Sequence, residues 1–155
     1  MITITAILQK ARDLLKADTA ISTWATAKYG RLPTIYVATD LKKPPKEDTM
    51  PHIILLPDDE TKGTEQPDRI HPILVAWCIK ETGITSGTQT VEYDGVYDCD
   101  ALGQMIWECL SKLSSNCPAS RCEYGVDGAV MVPLFPGYMT IEYREPFVAG
   151  ATVTL

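Results

Sequence analysis

Asp98-Cys-Asp-Ala-Leu-Gly-Gln-Met-Ile-Trp-Glu-Cys-Leu-Ser-Lys-Leu-Ser-Ser115, followed by breakers and then by Tyr138-Met-Thr-Ile-Glu-Tyr-Arg144, is the stretch whose reading decides the fold. In the first segment Leu102, Met105, Ile106, Cys109, Leu110 and Leu113 recur at helical spacing and form one apolar stripe. Asp98 stands where an N-cap belongs, Asp100 favours the helix N-terminus, and Asn116 and Pro118 stop the helix. Beyond a glycine-marked turn at Gly125 to Gly128, strands are expected over roughly Arg121–Tyr124 with Ala129–Val132, and over Tyr138–Pro146. A helix buried on such a sheet, with no catalytic group on its stripe, is a scaffold. The pattern points to contact rather than chemistry.

Upstream, a first helix is expected from Ile4 to Ala17, with Ile4, Ile7, Leu8, Ala11, Leu14 and Leu15 on one side and Thr3 or Thr5 as its cap. Asp18 reads as the N-cap of a second helix ending near Tyr29. Ile21, Trp24 and Ala25 then face inward, and Gly30 takes the C′ position. Three strands follow: Thr34–Thr39, His52–Leu56 and Ile73–Ile79, the last the most apolar and central. Between them lie a proline-rich charged loop at 42–51 and an acidic loop at 57–72. A Gly- and Thr-rich turn or loop at 82–90 leads through Val91–Tyr97 to the long helix. The expected fold class is α+β: a mixed or antiparallel sheet of about four to five strands, with an N-terminal helix and one long helix packed on it. Residues 1–148 are expected to form a single domain. The uncharged 149–155 tail is expected to be flexible or to lie along a neighbouring subunit.

With 155 residues, 45% of them hydrophobic and 22% charged, the chain can bury a substantial single core. No apolar run reaches the roughly 18 residues of a membrane span, and no basic start precedes the first apolar residues. Neither a membrane nor a secretory role is expected, and cytosolic residence is the default. The five cysteines are an odd number, and Cys78 and Cys109 fall on buried positions. Reduced thiols are expected, with the pairing of Cys117 and Cys122 left open. The net charge of −6 divides unevenly: eight basic against five acidic residues in 1–50, and six against fifteen in 51–155. Such asymmetry suits subunits that meet through faces of opposite sign, and it argues against general nucleic-acid binding, which needs a basic surface; no sequence-specific nucleic-acid partner is expected.

Searches for chemistry return little. His52 and His71 each border a proline at a strand edge and read as structural. No nucleophile elbow, dinucleotide fingerprint or P-loop is present. Asp94, Asp98, Asp100 and Gly103 imitate the start of a calcium loop, but Cys109 occupies the position of its bidentate glutamate. Asp58, Asp59 and Glu60 are expected to be solvated acids rather than cation ligands. No catalytic residue, cofactor or metal is expected, and the chain is not expected to be an enzyme. Trp24, Trp77 and Trp107 are assigned to the core. Exposed Tyr93, Tyr97 and Tyr138, the basic Lys42, Lys43 and Lys46, and the acidic Asp58, Asp59 and Glu60 are the candidate interface residues.

The order helix, short helix, strand, strand, acidic loop, long strand, helix and two closing strands resembles the tail-terminator or tail-completion (minor tail) proteins of long-tailed bacteriophages. The resembling segments are 29–36, 51–58, 73–79 with the helix 98–113, and 138–143. The resemblance implies a subunit of a homo-oligomeric ring, a hexamer, that caps the tail tube and meets the head–tail connector protein. Its partners would be itself, the tail tube protein and the connector. It would reside in the virion tail after assembly in the host cytoplasm. A head-completion or neck protein, and a small cytosolic ligand-binding or regulatory α+β module, are the alternatives.

Overall fold

The computed structural model describes residues 2–40, 42–59, 68–127 and 132–146. Two helices open the chain, α1 (Ile4–Ala17) and α2 (Thr19–Tyr29), and both begin where local chemistry puts them. The Thr3 hydroxyl accepts from the Ala6 amide at 3.2 Å, and the Asp18 carboxylate accepts from the Ile21 amide at 2.9 Å. These bonds satisfy amides that have no partner within the helix. Gly30 closes α2 at φ 68°, a left-handed conformation that only glycine adopts without a steric cost.

Among the described residues seven strands follow: β1 (Thr34–Val37), β2 (His52–Pro57), β3 (Asp68–Lys80), β4 (Ile84–Ser86), β5 (Val91–Tyr93), β6 (Ala119–Val126) and β7 (Leu134–Pro146), with α3 (Asp94–Leu110) between β5 and β6. Five of them form a mixed sheet in the order β1-β2-β3-β7-β6. Only the β1–β2 pair is parallel. β4 and β5 form a separate hairpin. The fold is α+β, with the N-terminal helix and the long α3 packed on the sheet, as expected from the sequence.

One face of the sheet holds the core. Ile53, Leu55, Ile73, Val75, Trp77, Ile79, Phe135, Met139, Ile141 and Tyr143 are buried on it. They meet Ile7, Leu8, Ala11 and Leu15 of α1 and Leu102, Ile106 and Leu110 of α3 in one cluster. α3 lies close to the strands because Gly95 and Gly103 carry no side chain there. A Cβ on Gly103 would come within 2.4 Å of Trp77, and one on Gly95 within 2.3 Å of Phe135. Three side chains then tie sheet to helix. Trp77 donates to the Cys99 carbonyl at 2.9 Å, Tyr143 to the Leu110 carbonyl at 3.0 Å and Tyr124 to the Asp100 carbonyl at 3.1 Å.

Several boundaries differ from the sequence reading. α3 begins at Asp94, with Tyr93 at its N-cap and no side-chain capping bond. Asp98 is therefore not a cap; it lies inside the helix and pairs with Lys28 of α2. The helix closes at Leu110, and Leu113 reaches the core from the turn that follows. The 82–97 segment carries a hairpin rather than an unbroken loop. The acidic 57–72 stretch ends in strand, because Asp68–Pro72 pair with Pro146–Glu142 of β7. Pro72 is tolerated there because the nitrogen side of its peptide faces Asp58, just past the end of β2, where its own carbonyl accepts from the Asp58 amide. Gly125 lies within β6 rather than in a turn, and the closing strand starts at Leu134. Of the strand expected at 129–132, Val132 stands in a turn and the rest lies outside the described residues, as do Glu60 and the 149–155 tail. Trp77 is a core residue, whereas Trp24 and Trp107 are half-buried at its margin.

Candidate functional site

Among the described residues the three α-helices lie on one side of the sheet and no helix covers its second face. Strand alternation and register fix what that face displays. Tyr36, Ile54, Ala76, Tyr138 and Gly125 form one row across all five strands. Leu56, Leu74, Thr140 and Glu123 form the next. Tyr138 is 55% exposed, and its ring lies across Gly125, where a Cβ would come within 2.7 Å of it. Along β2 and β3 this face carries no charge from Ile54 to Leu56, nor from Ile70 to Cys78. An antiparallel sheet usually turns polar side chains to water on the side its helices leave open. Its aliphatic members Ile54, Leu56, Leu74 and Ala76 are half-buried among their neighbours, and Tyr138 is the large exposed side chain beside them.

The chain between β1 and β2 rims this face. The Thr34 hydroxyl donates to the Thr49 carbonyl at 3.2 Å, and Lys80 pairs with Glu47 at 3.4 Å. Lys42, Lys43 and Lys46 stand exposed on the same connection. Beneath it, His52 is 7% exposed, packs edge-on to Tyr36 at 6.1 Å, and leaves its Nδ1 without a hydrogen-bond partner. Loss of water around the ring lowers its pKa and keeps it neutral.

The other candidate residues are scattered. Asp58 and Asp59 are exposed at the far end of β2. Tyr93 and Tyr97, 42% and 60% exposed, sit at the root of the β4–β5 hairpin. Tyr138 alone of the three tyrosines lies on the uncovered sheet face. The hydrophobic members of that face, Ile54, Leu56, Leu74 and Ala76, escaped the sequence reading. A strand's alternation shows that two faces exist but not which one the helices take.

Elsewhere the titratable groups serve the framework. His71 and Glu145 are buried together at 3.1 Å, and Glu145 also accepts from the Ile2 amide at 3.3 Å, fastening the N-terminus to the sheet. Among the described residues no cluster of three or more His, Cys, Asp or Glu side chains could hold a metal ion. All five cysteines are free thiols. Burial pushes Cys78 and Cys117 up to about 11 and Cys99 and Cys109 up to about 12, which removes thiolate at neutral pH. A groove of about 400 Å³ between the α1–α2 corner and α3 is lined by Leu14, Asp18, Met105 and Cys109, among others. No described helix is long and apolar enough to cross a membrane.

No protein-family model matches the chain, and no curated protein matches it. Among solved structures, 25 chains match. One of them belongs to the structure described as "Virion of native gene transfer agent (GTA) particle". The likeness covers 90% of this chain and 94% of that chain, with a TM-score of 0.50 and 10% sequence identity. The two chains share a fold. At that identity the likeness speaks to the fold and to nothing finer.

Proposed function

We propose that this protein is a non-enzymatic structural component of a phage or phage-like particle, and more narrowly a tail terminator. In that role it forms a homo-oligomeric ring, a hexamer, that closes the tail tube and presents a surface to the head–tail connector. The observation that carries the reading is the apolar sheet face left open by helices that all pack on one side. A subunit whose work is contact has a use for such a face, and an isolated enzyme does not. The shared fold with a chain of a gene transfer agent virion supports a place in a particle of that kind. The division of charge, basic in residues 1–50 and acidic beyond, supports a head-to-tail ring, in which each subunit offers two different surfaces.

Absolute mass by light scattering over a concentration series, with and without millimolar magnesium, tests the proposal. A closed oligomer of six is the expected result, with rings visible in negative stain and binding to purified tail tubes. A ring of another symmetry would move the protein to the neck of the particle. A stable symmetric dimer at every concentration would end the ring reading.

A further inference from the structure

His52 is buried beneath a piece of chain that is only lightly fastened. It stands two places before Ile54, level with Thr34 of β1 and Cys78 of β3 and on the same side of the sheet as both. Residues 44–51 belong to no strand, and a single 3-10 turn at Glu47–Thr49 is their only regular structure. Their ties to the rest of the fold are few. The Thr34 amide donates to the Pro51 carbonyl at 3.0 Å, and the Thr34 hydroxyl to the Thr49 carbonyl at 3.2 Å. Tyr36, whose ring packs edge-on to His52, donates its hydroxyl to the Thr49 hydroxyl oxygen at 3.4 Å. Lys80 pairs with Glu47, and Arg31 donates to the Asp48 carbonyl.

The orphaned Nδ1 of His52 makes this cover sensitive to protons. A neutral imidazole keeps its proton on Nε2 and leaves Nδ1 a bare acceptor, which is a small loss. A protonated ring carries N–H on both nitrogens, and a buried, charged donor without an acceptor costs far more. The groups around it supply no acceptor. Cys78 is pushed up to about 11 by burial and stays a neutral thiol, and Lys80 shares the sign of a protonated ring. Tyr36 is turned to Thr49 and Glu47 to Lys80, while Lys46 and Asp48 are exposed. Water is the remaining acceptor, and it reaches Nδ1 only if the cover moves.

We propose that residues 42–51 are a pH-operated strap, closed over neutral His52 and lifting from β1 when His52 takes up a proton. The sign follows from burial, which lowers the pKa of the closed form. The open form binds the proton near the ordinary value of about 6.5, so falling pH favours opening by at most about tenfold per pH unit below that value. Opening bares His52 and Tyr36 at the β1 edge of the sheet, and acidity then sets how much of that corner is presented. The sheet beneath stays folded.

Amide hydrogen exchange at pH 7 and pH 5, corrected for the intrinsic rates, tests the strap. Protection of Thr34, Thr49 and Met50 is expected to fall several-fold at pH 5, with the β3 and β7 amides unchanged. In His52→Phe, or His52→Gln if that protein fails to fold, the fall is expected to vanish. The converse is read from the imidazole titration by NMR. Glu47→Gln and Tyr36→Phe each remove one tie, and each is expected to move the His52 midpoint up toward about 6.5. Unchanged protection of the strap at pH 5, an equal fall in the His52 variants, or loss of protection throughout the sheet would each overturn the proposal. So would a His52 midpoint that neither tie-removing variant shifts.

Discussion

The Trp77 indole N–H donates to the Cys99 carbonyl at 2.9 Å, joining the central strand of the sheet to the long helix packed on it. Trp77 is 1% exposed, and its ring lies against both Gly103 of α3 and Gly137 of β7. It serves as spacer and as hydrogen-bond donor between the two layers.

Trp77→Phe removes the donor and leaves the Cys99 carbonyl without this partner in a dry core. It also opens a void beside Gly103 and Gly137. A loss of about 2–4 kcal/mol in unfolding free energy is expected from urea titration. Trp107→Phe, at the half-buried margin, is expected to cost under about 1 kcal/mol. Equal losses at the two positions would show that the indole contact carries no special weight.

Gly103→Ala sets two effects against each other. Alanine favours the helix by about 1 kcal/mol. Its Cβ, however, would lie 2.4 Å from the Trp77 ring, too close to accept without moving α3 off the sheet. Packing is expected to win, with a net loss of about 1–3 kcal/mol in the same titration. A stabilised variant would mean that the α3–sheet spacing yields easily.

Burial lowers the His52 pKa, and the sign of its linkage to folding follows. The unfolded chain takes up this proton near the ordinary value of about 6.5, and the folded chain only at lower pH. Stability from this residue is therefore complete above about pH 6.5 and declines as the pH falls toward the lowered folded value. Unfolding free energies between pH 5 and 8 are expected to slope less steeply in His52→Phe than in the parent. Parallel slopes would remove His52 from the acid response.

The five thiols are expected to resist modification. Their raised pKa values leave little thiolate at neutral pH, and Cys99 and Cys117 are fully buried besides. Labelling by iodoacetamide at pH 7.5 is expected to run at least about tenfold slower in the folded protein than in urea. Five labels are expected once it unfolds without reductant, because Cys117 and Cys122 are both free. A shortfall of two after unfolding would reveal a disulfide.

The sequence by itself determined what is decided within a turn of the chain. α1 from Ile4 to Ala17, its Thr3 cap, the Asp18 cap of α2 and the Gly30 stop all follow from helical period and capping, which act over three or four residues. The strand character of 34–37, 52–56 and 73–79, and hence the α+β class, came from short-range propensity in the same way. Tertiary structure alone decided the rest. The polar Asp68–Pro72 segment is strand because β7 lies beside it, and Gly95 sits inside α3 because Phe135 fills the space its side chain would need. The row of Tyr36, Ile54, Ala76 and Tyr138 comes from four strands far apart in the chain, aligned by pairing that no local pattern encodes. Buried on both sides of a central strand or on one, β3 reads as the same apolar run. Only the placement of α1 and α3 on one side leaves the other face open, and that packing is a property of the whole chain.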